Sequence, residues 1–583
     1  MTGPERAARA AGLLLLLSAA AYYLVFVRAM STTSLWTDEL TSVQEFSSKG
    51  PLAVVTDYHD PNNHVFFNLL NSLLPGRASV APLRARILSF LSVAGLLVLP
   101  YAFFAGRGRP LLGGLLGWVL VVDHDLLDLF LQARGYGLAA FLALSLSTAV
   151  LRFVDEDDPR GLPWIVVTAV LGTWTLPTFG FFAAPLLLLL LAVARRRAVF
   201  LASAAVAAGV FLAYLPVLPQ LLEQGRVYGA RWGRAYASAG AVLETLRTYL
   251  LRPRALFGEA AAFAALSGIA VFPWFLSDEE RRRSRGSLLL VASSLAFFVA
   301  CLGLQTPIVR ATSFVVVPLA VGTSLVAAVL LDRPRLERRA RAAGIAGAIL
   351  LAAGGFFQAW RFSFVPLERW KDVGELVAET FPDEAQYHVT YVPELLRGYV
   401  RPGFRNQWEM DDVAFREGRL VVLDTVVVDG RPRIQTSRLA ASSVELRLPQ
   451  RRAGFMSVCF TPPSRSGVEG VASNGRPLPV APLGDRDFAT GASAAGATTT
   501  VALEAGRRYR SLVLVRSDGP GAREVECSIR TSGGAAPEPC GTVRRSGRFT
   551  LVHLRDRPVT TVTLTTGQEG EASLVEVWAY TVP

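Results

Sequence analysis

Two adjacent carboxylates, Asp38 and Glu39, close the run Ser34-Leu35-Trp36-Thr37-Asp38-Glu39, a few positions after a long apolar stretch. A carboxylate pair at a membrane boundary can act as a general base or bind a divalent cation. A solvated acidic loop is the competing reading. A second group follows at Tyr58-His59-Asp60-Pro61-Asn62-Asn63-His64, where one carboxylate, two amides and two imidazoles are gathered. That set could orient a sugar or help bind a metal. It lacks firm zinc-ligand spacing, so a polar helix cap built from Asp60 and the two asparagines competes. A third group comprises Asp123-His124-Asp125, Asp128 and then Gln132-Ala133-Arg134-Gly135-Tyr136. Ionisable residues at membrane depth are costly unless they face a cavity or a partner, which makes them functional candidates; pairing of Arg134 with Asp128 is the structural alternative.

These groups lie in a chain of 583 residues, 51% hydrophobic, whose mean hydropathy is +0.37. The apolar content is concentrated in the first 360 positions in charge-free runs, which excludes a soluble enzyme. About eleven runs approach the length a helix needs to cross hydrocarbon. They lie near 10–29, 86–106, 111–127, 135–154, 163–181, 183–195, 198–218, 256–276, 287–305, 312–331 and 341–359. The first is long and lacks a small-residue cleavage site, so it reads as an uncleaved helix. The formal charge is +12, but the arginines cluster beside helix ends: Arg6 and Arg9, Arg107 and Arg109, Arg195 to Arg197, Arg281 to Arg285, Arg333 to Arg341. That pattern reports orientation and excludes nucleic acid as the partner. It places the N-terminus in the cytoplasm and everything after residue 360 outside. Three outer segments, 30–83, 123–134 and 219–255, are too long or too polar for simple connectors. The first contains HVFFNLLNSLL (64–74), which suggests a helix in the interface plane. The last carries Arg226, Arg231, Trp232 and Arg234, suited to lipid phosphates.

Beyond residue 360 the composition becomes that of a soluble domain. An α/β segment is expected over 361–428, and short alternating runs separated by Gly, Pro, Asp and Ser predict a β-sandwich over 429–583. Trp578 and Tyr580 read as core residues. Of four cysteines, Cys301 falls in an apolar helix; Cys527 and Cys540 could form a disulfide and leave Cys459 free.

The order of these features resembles the GT-C superfamily of membrane glycosyltransferases: helix one, a WTDE loop, a DPNNH segment entering a helix, Arg86 opening the second span and QARGY opening the fourth. Within it the sequence is most similar to bacterial relatives of the protein O-mannosyltransferases and the lipid A aminoarabinose transferases, over roughly residues 8–360. The resemblance implies a GT-C-like catalytic domain over 1–360 that uses a polyprenyl-phosphate-linked sugar donor. It implies that the catalytic carboxylate is Asp38 or Glu39 and that Arg134 lies near the donor phosphate. Where relatives carry His-Pro-Pro or Lys-Pro, this chain has Asn62-Asn63-His64, which leaves metal use open.

The expected reaction transfers the sugar to an acceptor hydroxyl of a glycan, lipid or protein at the outer face of a bacterial cytoplasmic membrane. Asp38 removes the hydroxyl proton. Arg134, with Arg310, Arg231 or a bound divalent cation held through Asp38 and Asp128, stabilises charge on the departing phosphate. Glu39, Asp60, Asn63, His64, Arg86, Gln132 and Tyr136 would position sugar, phosphate or metal. Two other classes compete. A flippase or transporter of a lipid-linked or anionic substrate lacks support from any inverted repeat. A membrane-anchored glycan-binding or assembly protein would work through its outer β domain alone.

Overall fold

A computed structural model describes residues 3–75, 81–193, 196–233, 276–303, 309–331 and 337–362. Beyond these it describes 371, 373, 386–389, 405–406, 420–424, 427–428, 431–432, 444–450, 454–460, 468–473, 476–478, 492–495, 498–516, 525–532, 536–540, 543–546, 549–566 and 571–581. The chain forms two compact units. One comprises Met1–Thr32 and Asp38–Phe364; the other comprises Thr33–Thr37 and Val365–Pro583.

The first unit is helical. Its described helices begin with α1 (Gly3–Thr32), α2 (Thr37–Thr41), α3 (Pro51–Thr56), α4 (Val65–Leu73), α5 (Pro82–Ala105) and α6 (Pro110–Val122). They continue with α7 (His124–Leu131), α8 (Tyr136–Asp155), α9 (Gly161–Thr175), α10 (Gly180–Val193), α11 (Arg196–Tyr214) and α12 (Leu218–Gly233). Three further apolar helices cover Arg285–Gly303, Val316–Leu331 and Glu337–Trp360. Five described stretches are long and apolar enough to cross a bilayer: Glu5–Thr32, Pro82–Ala105, Tyr136–Asp155, Arg197–Val227 and Ala342–Trp360. With five shorter apolar helices among them, the chain is a multi-pass membrane protein. The span expected at 256–276 lies outside the described residues.

The expected third span, 111–127, is broken. Helix α6 stops at Val122 because the Asp123 side chain accepts the Leu126 N–H at 2.7 Å and starts α7 afresh. Pro177 likewise ends α9, since proline cannot supply the next helical N–H. At the other boundary, α11 runs through a 3₁₀ turn at Leu215–Val217 into α12, so the segment after residue 218 begins as a helix.

Close backbone contact sets α1 against α6. A Cβ on Gly12 would meet the Pro110 carbonyl oxygen at 2.3 Å, and one on Gly114 would meet Gly12 O at 2.3 Å. The N-terminal half of α1 therefore lies with the Arg107–Pro110 turn, and its last turn, at Met30, lies with Arg86 near the start of α5. Asp155, at the end of α8, accepts the Gly286 N–H at 2.7 Å and brings the Arg281 to Arg285 cluster to the Arg107 end as well. The core runs between these ends through Phe26, Phe67, Phe104, Phe130, Phe179 and Phe182.

Helix α4 turns its polar side inward rather than toward an aqueous interface. Asn68, Asn71 and Ser72 are buried, and Leu73 is exposed. Ser42 donates to Asn68 Oδ1 at 2.7 Å, and Arg84 donates to Asn71 Oδ1 at 2.8 Å.

The second unit is built of strands. Strands β1 (Gln386–Val389), β2 (Arg405–Asn406) and β3 (Leu420–Asp424) run parallel in the order β2-β1-β3. A short pair follows, β4 (Val427–Val428) with β5 (Arg431–Pro432). Strands β6 (Val444–Gln450) and β7 (Gly454–Phe460) then complete the first sheet, with β7 antiparallel to β3. The expected division at 428/429 therefore falls inside that sheet. Alternation along a strand marks which face is buried but not which sheet the strand joins.

Strands β8 (Val468–Ser473) through β18 (Glu571–Thr581) form two more sheets. One holds β11 (Thr498–Leu503), β13 (Val525–Thr531) and β17 (Val559–Thr566); the other holds β12 (Tyr509–Arg516), β16 (Phe549–Arg557) and β18. Val501, Ile529 and Val562 from one sheet share a core with Leu512, Val552 and Val577 from the other, which makes a sandwich. Cys527 and Cys540 are disulfide-bonded. The side chains of Cys301, Cys459, Trp578 and Tyr580 lie outside the described residues.

Candidate active site

Asp38 lies in the first turn of α2 and meets two guanidinium groups. Arg134 Nη1 and Arg310 Nη1 each donate to the same oxygen, Asp38 Oδ2, at 2.7 Å. Oδ1 has no hydrogen-bond partner among the described residues. The three side chains come from positions 38, 134 and 310, and each reaches the point for a local reason. Helix α2 carries Asp38 directly after α1. The turn between α7 and α8 carries Arg134, and Ser89 on α5 fastens that turn by donating to the Gln132 carbonyl at 2.5 Å. The 3₁₀ helix Val309–Val315 carries Arg310.

Arg134 is the confined member. Its side chain is 4% exposed, its Nη2 donates to Asn62 Oδ1, and its guanidinium carbon lies 4.8 Å from the centroid of the Tyr136 ring. Arg310 is 43% exposed, and Asp38 is 18% exposed.

His64 completes the group. The Gly135 N–H donates to His64 Nδ1 at 3.1 Å, and Arg134 Nη2 lies 3.2 Å from Nε2. A protonated imidazole accepts at neither nitrogen, so two N–H donors facing the ring oppose the charged form. Burial, and then the charges of Arg134 and Arg310, hold the His64 pKa well below the usual imidazole value. The approach depends on Gly135, because a Cβ there would sit 2.7 Å from both His64 Nδ1 and Thr175 Cγ2. The Tyr136 ring meets His64 edge-on at 4.9 Å.

Glu39 and Arg86 form a separate arrangement behind this surface. Glu39 is fully buried and Arg86 is 3% exposed at its side chain. Arg86 Nε donates to Glu39 Oε1 at 2.7 Å and Nη2 to Oε2 at 2.6 Å, while Nη1 donates to the Met30 carbonyl. Glu39 Oε1 also accepts the Ala133 N–H at 2.6 Å. The pair thereby ties the end of α1, the start of α5 and the Gln132–Tyr136 turn together. Both charges face each other inside the protein, and Glu39 is fully enclosed.

The other expected residues divide in the same way. Asn63 is structural: its Nδ2 donates to Val54 O at 2.9 Å and Asp57 O at 2.7 Å, and its Oδ1 accepts from Asn68. Asp60 stabilises its own turn by accepting the Asn62 N–H at 2.7 Å. Gln132 is buried, and its Oε1 makes no hydrogen bond among the described residues. Asn62, which touches Arg134, was not singled out; the sequence presents two adjacent asparagines and only the turn decides which one faces the arginine. The Arg231 side chain lies outside the described residues.

Asp128 is buried on α7. Among the described residues no group of three or more His, Cys, Asp or Glu could hold a metal ion.

A cavity of about 580 Å³ opens at the opposite end of the bundle, lined by Arg107, Asp155, Glu156, Arg283 and Ser284 among others. It is separated from the Asp38 group by roughly 27 Å of α5. Two of its arginines are neutralised locally, Arg107 by Glu156 and Arg283 by Glu279.

No family model and no curated protein matches the sequence. The fold does have neighbours among solved structures. The arabinofuranosyltransferase AftD from Mycobacteria matches at 13% identity and TM-score 0.37, over 97% of this chain and 59% of that one. The oligosaccharyltransferase AglB from Archaeoglobus fulgidus, in complex with an inhibitory peptide and a dolichol-phosphate, matches at 12% identity and TM-score 0.43, over 96% of both chains. The arabinosyltransferase EmbB from Mycobacterium smegmatis matches at 12% identity and TM-score 0.36, over 98% and 64%. These neighbours are GT-C glycosyltransferases. The chain spans about three fifths of the length of the two mycobacterial proteins.

Proposed function

We propose that this protein transfers a glycosyl group from a polyprenyl-phosphate-linked donor to an acceptor hydroxyl at the outer face of a bacterial cytoplasmic membrane. The observation that carries the proposal is the convergence of Asp38, Arg134 and Arg310 on one carboxylate oxygen, with the other oxygen left unpartnered. Asp38 Oδ1 takes the acceptor proton as the hydroxyl oxygen bonds to the anomeric carbon. The bond from that carbon to the phosphate oxygen breaks, and the electron pair leaves with the phosphate. Attack opposite the leaving group inverts the configuration. The two guanidiniums lie within reach of the charge that develops there. Neutral His64 and Asn62 line the same surface and orient the sugar.

The distribution of charge supports this side of the membrane. Arg107, Arg109 and the Arg281 to Arg285 cluster belong to the end of the bundle away from Asp38. The positive-inside rule favours the cytoplasm for that end, which supports an outer position for the Asp38 group. The test is Asp38→Asn in the full-length protein, with insertion and thermal stability verified. Release of polyprenyl phosphate should fall by roughly 10²–10⁴-fold. Transfer at the wild-type rate would remove Asp38 from the reaction.

A further inference from the structure

Asn62 meets Arg134 through its carboxamide oxygen. The polarity of that contact is forced, because a guanidinium carries donors and no acceptor. An asparagine amide that touches it must present Oδ1 and turn its NH₂ group away. The turn holds the amide in this pose. Asp60 Oδ1 accepts the Asn62 N–H at 2.7 Å, and the His64 N–H donates to the Asn62 carbonyl at 2.9 Å. Pro61, directly before Asn62, has its φ fixed by the ring. Both main-chain groups of Asn62 are thus satisfied within the turn, and little freedom is left to lose when a ligand binds.

The same guanidinium brings this amide beside the reacting carboxylate. Arg134 Nη1 donates to Asp38 Oδ2 at 2.7 Å while Nη2 donates to Asn62 Oδ1, so the two side chains occupy neighbouring arms of one planar fork. Each keeps one polar atom that makes no hydrogen bond among the described residues: Asp38 Oδ1, an acceptor, and Asn62 Nδ2, a donor. Both residues are partly exposed. The base has to meet the acceptor hydroxyl, so whatever Asn62 binds lies a few bonds from the attacking oxygen. A neutral N–H donor suits a neutral oxygen, whereas a charged phosphate is better served by guanidiniums. An open acceptor beside an open donor fits two neighbouring hydroxyls, one giving its proton to the carboxylate and the other accepting from the amide. Adjacent hydroxyls are the mark of a carbohydrate; a serine or threonine side chain, or a simple lipid alcohol, offers one.

We infer that the acceptor is a carbohydrate presenting a vicinal diol, and that Asn62 is the specificity-determining residue that holds the hydroxyl next to the attacking one. This rests on the glycosyl-transfer reading and adds to it the class of acceptor. The attacking hydroxyl passes its proton to Asp38 Oδ1 as its oxygen bonds to the anomeric carbon, and the phosphate leaves with its bonding pair. The neighbouring hydroxyl keeps its proton and accepts from Asn62 Nδ2, which fixes the direction of attack.

An acceptor series tests this with the full-length protein in nanodiscs, each variant first shown to be monodisperse. Short-chain polyprenyl-phosphate-linked pentose and hexose are the donors, and release of polyprenyl phosphate is the readout. The acceptors are octyl glycosides, their monodeoxy analogues and a serine-containing peptide; product analysis identifies the attacked hydroxyl. Removing the hydroxyl next to it should lower kcat/KM roughly tenfold in wild type, because the amide loses its partner. Asn62→Ala should lower kcat/KM for the intact glycoside by a similar factor, roughly tenfold. Combining the variant with the deoxy acceptor should cost about threefold or less beyond either change alone. Asn62→Asp keeps an oxygen for Arg134 and removes only the N–H donor, so it should match Asn62→Ala. Wild-type turnover in Asn62→Asp would reduce Asn62 to a support for Arg134 and overturn the inference. Losses that multiply, or faster transfer to the peptide than to any glycoside, would overturn it as well while leaving the transferase reading intact. Release no faster than that of Asp38→Asn with every donor and acceptor would overturn both.

Discussion

Replacing Glu39 by glutamine preserves the shape of the side chain and one acceptor oxygen but removes its charge. In the folded protein this leaves the Arg86 guanidinium, 3% exposed, without its carboxylate. Both hydrogen bonds of the fork are affected, at 2.7 Å and 2.6 Å, and the anchor on the Ala133 N–H weakens. Breaking a buried ion pair from one side costs about 3–5 kcal/mol. That is a large share of the roughly 5–15 kcal/mol by which folded domains are stable. The apparent unfolding midpoint should fall on the order of 10 °C. The assay is the fraction of monodisperse protein that survives graded heating in detergent, read beside transferase activity at a temperature where both forms are folded. Arg86→Lys should be damaging too, because an ammonium cannot reproduce the two parallel bonds. The double variant Glu39→Leu, Arg86→Met should regain much of the lost stability, since no uncompensated charge is left. The reasoning is refuted if Glu39→Gln unfolds at the wild-type temperature and loses transfer alone, as a reacting group would.

Gly135→Ala places a methyl group 2.7 Å from His64 and Thr175; it should cost about 1–3 kcal/mol and displace the imidazole, and wild-type melting with wild-type turnover would contradict the packing described. His64 gives a pH signature. Its folded pKa lies well below the unfolded value of roughly 6.5, so the unfolded chain takes up the proton first as pH falls. Its contribution is therefore complete above about 6.5 and declines below that by up to ~1.4 kcal/mol per pH unit. Denaturation midpoints measured from pH 7.5 to 5 should show this slope in wild type and lose it in His64→Gln; parallel profiles would exclude a neutral buried His64. Cys527 and Cys540 are 13 residues apart, and closing so short a loop stabilises by about 3 kcal/mol. A reductant or Cys540→Ser should lower the unfolding free energy of the β-rich unit by about that amount, and no change under full reduction would remove the bridge from the stabilising contacts.

Several apolar helices of a membrane protein, strands beyond residue 360 and the three polar groups were legible along the chain. Hydrophobic runs and arginine-flanked ends depend on solvent preference, which acts residue by residue and leaves its mark in composition. The polar groups stood out because ionisable side chains are rare in such surroundings. The same local physics signalled the Cys527 to Cys540 pair by proximity.

Division of labour within those groups was not legible, because it depends on contacts between segments tens to hundreds of residues apart. Asp38 and Glu39 are neighbours in sequence, yet one faces an accessible surface and the other a buried fork with Arg86. Asn62 and Asn63 differ in the same way: one reaches Arg134, and the other holds the backbone of its own loop. Adjacent side chains on a turn point in different directions, and only the packed helices fix which direction is protein and which is open. Arg310 joined Asp38 across 272 residues, a pairing that no local pattern specifies. Composition and periodicity thus determined a helical membrane bundle with acidic and basic residues between its spans; tertiary packing alone decided that Asp38 meets Arg134 and Arg310 while Glu39 is enclosed with Arg86.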